Sequence, residues 1–88
     1  MKLIFTPTAK EHWEFWKRTN PKIASRIKLL LADIVEHPYT GIGKPEPLKY
    51  ELVGKWSRRI DSVHRLVYSV TDDAIIVYVF SMRYHYSK

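Results

Sequence analysis

The sequence predicts an α+β fold in the order β-α-α-β-β-β-β, a helical hairpin packed on a mostly antiparallel sheet. Three observations carry this expectation. Apolar residues recur at helical spacing from Ala9 to Ile34, turn-forming residues crowd into His37–Pro47, and everything after that reads as short strands.

The elements follow in order. "KLIFT" (2–6) is β-branched and aromatic enough for a first strand. Thr8 and Glu11 have capping-box spacing, and Ala9, Trp13 and Trp16 then recur at i, i+4, i+7, so a helix should start near Thr8 and end near Arg18–Asn20. "NPK" restarts it, with Asn20 as N-cap and Pro21 at the first helical position. The stripe Ile23, Ile27, Leu30, Ile34 carries this second helix to about Glu36 and reads as core.

"HPYTGIGKPEP" is a loop, with two glycines and three of the five prolines. "LKYELVG" and "WSRRID" are expected as strands joined by a tight turn at Gly54–Lys55. "HRLVYSV" follows across Asp61–Val63, and Asp72-Asp73 turns into "AIIVYVFSM". That last run is apolar on both parities and should lie centrally in the sheet, covered on at least one face by the helices. With 88 residues and no repeat or linker, the chain is one domain, 1–88.

Composition narrows the function. Fifteen Lys and Arg against nine acids give a net charge of +6, which favours a polyanionic partner, nucleic acid before an anionic membrane. The absence of cysteine removes disulfide frameworks, thiolate metal sites and thiol catalysis, and suits a reducing cytoplasm. "MKLIF" holds only three consecutive apolar residues, too few for a secretory signal or a membrane span. His12, His37 and His64 lack ligand spacing, so no metal or other cofactor is expected. Trp13, Trp16 and Trp56 read as core and edge packing residues before base-stacking platforms.

The basic residues concentrate late in the chain. Lys44, Lys49, Lys55, Arg58, Arg59 and Arg65 face only three acids over the same span. If Asp61–Val63 pairs Ile60 with His64, Arg59 and Arg65 stand opposite each other on one sheet face. Like charges paired across a ladder are destabilising, so this arrangement suits a phosphate-binding surface. Within the same span, "GKPEPLK" (43–49) holds Glu46 between two prolines, each fixing φ and restraining its predecessor. A rigid carboxylate among cations is either a catalytic device or a stiff surface turn. The terminal "RYHY" adds His85, whose side chain suits proton transfer near neutral pH. RNA cleavage needs a base for the 2′-OH, an acid for the leaving 5′-oxygen and cations for the phosphorane. Glu46, His85 and the arginines supply those residue types, and the same residues would equally make a plain RNA-binding patch.

The motifs "GKPEPLK" (43–49), "WSRRI" (56–60), "HRLVY" (64–68), "TDD" (71–73) and "RYHY" (83–86), in this order, carry a resemblance to a known family. The chain resembles the YoeB toxins, within the RelE-like superfamily of ribosome-dependent endoribonucleases. The resemblance implies a RelE-like fold, cytoplasmic action and metal-independent messenger-RNA cleavage in the ribosomal A site, leaving a 2′,3′-cyclic phosphate. It assigns Glu46 as general base, Arg65 to transition-state stabilisation and His85 as general acid. Lys49 and Arg59 match phosphate-holding positions and Tyr86 the terminal tyrosine; Lys44 and Arg58, from the same basic run, complete the expected RNA-binding set. It also implies contact with 16S rRNA, a cognate YefM-like antitoxin, homodimerisation and no membrane association. The chain runs two residues, Ser87-Lys88, past the family's terminal tyrosine. The rival expectations are a non-catalytic RNA- or ribosome-binding module and an inactive relative that only binds an antitoxin.

Overall fold

A computed structural model describes residues 1–80. The chain builds a five-stranded sheet from β1 (Lys2–Phe5), β2 (Glu46–Pro47), β3 (Trp56–Arg59), β4 (Arg65–Val70) and β5 (Ala74–Val79), in the order β1-β5-β4-β3-β2. Among the described strands only the β1–β5 pairing is parallel. The run that is apolar on both parities, β5, is therefore an interior strand, as its pattern requires.

Two helices, α1 (Pro7–Thr19) and α2 (Pro21–Glu36), precede all strands but the first. The cap of α1 differs from the expected capping box. Thr6 is the N-cap, its hydroxyl accepting from the Ala9 amide at 3.2 Å, and Pro7 occupies the first turn. The proline decides this, because its fixed φ and missing N–H fit N1, two positions before a start at Thr8 would allow. Asn20 serves both helices: its N–H closes α1 on Trp16, and its side chain accepts from Ile23 to open α2. The α2 stripe then buries Ala24, Ile27, Leu30, Leu31 and Ile34 against Leu66, Tyr68, Ile75 and Val77 of the sheet. Trp16 is buried, and Trp13 and Trp56 pack against the same core.

The second departure is "LKYELVG". Instead of a strand, residues Tyr50–Leu52 form a short 3₁₀ turn, and pairing with β3 is confined to Glu46–Pro47. This segment lies at the sheet's edge, where only one neighbour rewards extension, and Pro47 has no N–H to continue a ladder. The chain instead closes back, with the Leu48 N–H bonded to the Lys55 carbonyl at 2.9 Å. Among the described residues the number of strands is as expected; the position of one is not.

The remaining connections are held by side chains. Asp61 accepts the Val63 and His64 amides at 2.8 and 2.6 Å, an Asx turn that sets the β3–β4 register. Ile60 donates to the His64 carbonyl at 2.9 Å, and Arg59 is paired with Arg65. Thr71 closes the next turn by accepting from Ala74 at 3.0 Å. Among the described residues no helix is long and apolar enough to cross a membrane.

Candidate active site

The register divides the sheet into two chemically different faces. Side chains alternate along a strand, and Trp56, Leu66, Tyr68, Ile75 and Val77 pack toward the helices. The opposite parity places Glu46, Ser57, Arg59, Arg65 and Val67 on the other face. Glu46 pairs with Ser57, so it stands about 7 Å of strand from the Arg59–Arg65 pair, two positions along β3.

The "GKPEPLK" segment is sewn onto β3 along its length. The Arg59 N–H donates to the Gly43 carbonyl at 2.6 Å, Glu46 pairs with Ser57, and Leu48 bonds Lys55. Gly43 has φ +79°, and a Cβ there would lie 2.7 Å from Leu30 and 3.1 Å from the Arg59 carbonyl, so glycine is required. Lys44 and Tyr50, on either side of Pro45–Lys49, are the described non-glycine residues with positive φ, +51° and +61°. Such backbone costs a side-chain-bearing residue roughly 1–2 kcal/mol. Glu46 thus sits in a short segment whose two ends are strained and whose middle is locked by prolines.

An open pocket is lined by Glu46, Pro47, Leu48 and Lys49. Among the described residues Glu46 has no ion-pair partner, and Lys44, Lys49 and Arg59 have none either. Arg65 uses Nη1 on the Asp61 and His64 carbonyls, at 3.1 and 3.2 Å. Its Nε and Nη2 have no hydrogen-bond partner among the described residues. The tether aims the planar fork while leaving donors for a phosphate oxygen.

Arg58 must be removed from the phosphate-binding set. It faces the helices, is fully buried, and all five of its N–H donors are used within the chain. Nε donates to the Tyr68 hydroxyl at 3.2 Å, Nη1 to Asp33 and the Ile42 carbonyl, and Nη2 to the His37 and Thr40 carbonyls. Tyr68 in turn donates to the Pro38 carbonyl at 2.6 Å. Arg58 is the knot that ties the 37–42 loop to the sheet and so places the segment that follows it. Its signal was present in "WSRR": once Arg59 pairs outward with Arg65, Arg58 must point inward.

Two titrations reflect these contacts. The Arg58 guanidinium bonded to Asp33 holds that carboxyl below the usual carboxylate range, against the opposing effect of burial, with help from the Ile42 amide. At Asp61 burial pushes the carboxyl up, but the His64 and Val63 amides and the His64 ring outweigh it and leave it lowered.

The histidines divide as well. The His64 ring packs on Trp16 at 4.8 Å, on the helix side and away from the cationic face. His12 Nδ1 accepts the Phe80 N–H at 3.2 Å, and Trp16 Nε1 donates to the Phe80 carbonyl at 2.9 Å, so α1 holds the end of the described chain. The expected acid His85 and the expected Tyr86 lie outside the described residues, as does the rest of "RYHY". Among the described residues no three His, Asp or Glu side chains cluster as a metal site would need. The described residues therefore offer one carboxylate able to accept a proton and a set of cations able to hold a phosphate.

Comparison with known proteins bears on the family and the fold. Residues 5–86 match the family described as the YoeB-like toxin of bacterial type II toxin-antitoxin systems. Toxin YoeB of Streptomyces coelicolor is 48% identical over 86 residues, covering 98% of this chain and 100% of that one. Toxin YoeB of Escherichia coli is 45% identical over the same length and coverage. Among solved structures, a YoeB/ParE toxin from Agrobacterium tumefaciens superposes with a TM-score of 0.92 at 38% identity, over 96% of this chain and 100% of that one. A YoeB dimer from Staphylococcus aureus gives 0.89 at 39%, and the YoeB of a heterotetrameric YoeB–YefM complex from the same organism gives 0.87 at 39%, each over 98% of both chains.

Proposed function

Since the chain belongs to the YoeB-like toxins of bacterial type II toxin–antitoxin systems, we propose that it is a ribosome-dependent endoribonuclease that cleaves messenger RNA in the A site. The observation that carries this reading is Glu46, a carboxylate unpaired among the described residues on the same sheet face as the opposed Arg59 and Arg65. A purely structural acid in this basic setting would be expected to pair with a neighbouring cation.

In the proposed reaction Glu46 takes the proton of a ribose 2′-OH, and the 2′-oxygen attacks the adjacent phosphorus. Arg65 and Arg59 stabilise the charge of the phosphorane, while Lys49 and Lys44 hold flanking phosphates. The bond from phosphorus to the 5′-oxygen breaks, His85 protonates that oxygen, and a 2′,3′-cyclic phosphate remains. Tyr86 would lie beside the substrate or fix the imidazole. The Staphylococcus aureus relatives, a dimer and a complex with YefM, support a homodimer and a YefM-like antitoxin that masks the site. The target implies action in the cytoplasm, with the ribosome and its 16S RNA as partners.

Primer extension on a translated message after induced expression tests the proposal. Cuts within the A-site codon, absent on an untranslated copy of the same message, are expected. Binding of ribosomes with no cuts would make the chain a non-catalytic module.

A further inference from the structure

Tyr50 combines three properties that nothing within the described chain explains together. It is an aromatic residue held at φ +61°, where bulky side chains are outliers. The residue is 71% exposed, so packing does little to offset that strain. Its side chain makes no hydrogen bond or ring contact among the described residues. Glycine or asparagine would suit the backbone better. Strained residues of this kind are a starting point for a functional hypothesis when their surroundings point to a ligand.

The surroundings do point to one. Tyr50 follows immediately on Glu46–Lys49, the four residues that line the pocket. The left-handed turn stops the chain from continuing along β3 and projects the residue from the sheet edge, next to the lysine expected to hold phosphate. An exposed ring next in sequence to a pocket that carries a lysine, Lys49, has the parts that hold single-stranded RNA, because every base offers a π-face to stack on and every phosphate a charge to pair.

We propose that Tyr50 is a stacking platform for a nucleobase of the message next to the cleaved phosphate, a specificity-determining residue for the nuclease reaction. This rests on the ribonuclease reading above. In that role the ring orders the splayed base while Lys49 holds its phosphate, and base preference at that position follows from stacking strength, purines above pyrimidines.

The test uses the full chain and programmed ribosomes carrying 2-aminopurine in the A-site codon, with 2′-deoxyribose at the scissile nucleotide to block cleavage. Wild type should quench the 2-aminopurine on binding. Tyr50→Asn should lose the quench and bind roughly five- to a hundredfold more weakly, while melting at or above the wild-type temperature because asparagine tolerates the left-handed backbone. Tyr50→Phe, which keeps the ring, should retain both quench and affinity. A structural role predicts the opposite pattern, a lowered melting temperature with RNA binding unchanged. Unchanged quench and affinity in Tyr50→Asn would overturn the proposal, as would a loss confined to the complex with a purified antitoxin. A wild type that quenches but leaves an all-ribose message uncut refutes the nuclease reading alone and leaves the stacking intact.

Discussion

Arg59 and Arg65 stand directly opposite each other across the β3–β4 ladder, with no acid paired to either guanidinium among the described residues. Directly opposed like charges on a sheet are destabilising by a few tenths to about 1 kcal/mol. The Asx turn at Asp61 forces the pairing, since it sets the register. The folded chain therefore presents a concentrated positive site whose self-repulsion a bound phosphate would relieve.

Glu46→Gln should keep the fold and ribosome binding and lose cleavage by roughly 10²–10⁴. Glu46 is exposed and makes no ion pair among the described residues, so the amide costs little stability. Single-turnover cleavage within threefold of wild type would remove Glu46 as the base.

Arg65→Ala should slow the chemical step more than it weakens binding, whereas Lys49→Ala should weaken binding at least as much as it slows chemistry. The Arg65 fork is held by two backbone carbonyls and meets the phosphate in a set geometry; Lys49 is an exposed point charge at the pocket. An interaction made mainly in the transition state lowers the rate and not the affinity. The measurement is the single-turnover rate against ribosome concentration, and an Arg65→Ala effect confined to the half-saturating concentration would contradict the assignment.

Asp33→Asn should destabilise the fold by about 3–5 kcal/mol, the usual consequence of leaving a buried cation without its counter-ion. It should also change the pH dependence of unfolding. The Asp33 carboxyl is lowered in the folded state, so its contribution is fully present above the ordinary carboxylate value and is lost as pH falls through the lowered one. Wild type should lose stability progressively as pH falls below that ordinary value. The variant should show a shallower slope there, retaining only what Asp61, also lowered, and any other carboxyls contribute. Arg58→Lys should be destabilising too, because three donors cannot replace five. Denaturant melts between pH 3 and 7 decide both points, and parallel slopes for wild type and Asp33→Asn would show that the pair carries no acid sensitivity.

Removing Tyr84–Lys88 should abolish cleavage without unfolding the domain, while removing only Ser87-Lys88 should leave activity intact or raise it. Phe80 belongs to the described core and its backbone is held by His12 and Trp16, and the first truncation starts beyond it and deletes the proposed acid His85. Thermal melts alongside ribosome-dependent cleavage test this. A longer truncation that still cuts message would sink the assignment of His85, and one that fails to fold would make the tail structural.

The sequence by itself determined the α+β class and the helix pair around Asn20-Pro21, and it placed Arg59 opposite Arg65 on one sheet face on the condition that Ile60 pairs with His64. These depend on local chemistry: periodicity, proline at N1, and an aspartate able to close its own turn. It also pointed to Glu46, because two prolines around one acid are conspicuous wherever they fall. Tertiary structure alone decided that "LKYELVG" is a turn, because extension there needed a neighbour the sheet edge does not provide. Arg58 became a buried knot only because Asp33, Tyr68 and three loop carbonyls, those of His37, Thr40 and Ile42, converge on it from separate elements. Alternation along "WSRR" puts Arg58 on the face opposite Arg59, but that a charged side chain can be fully buried there depends on partners roughly twenty residues away in sequence that take up all its donors.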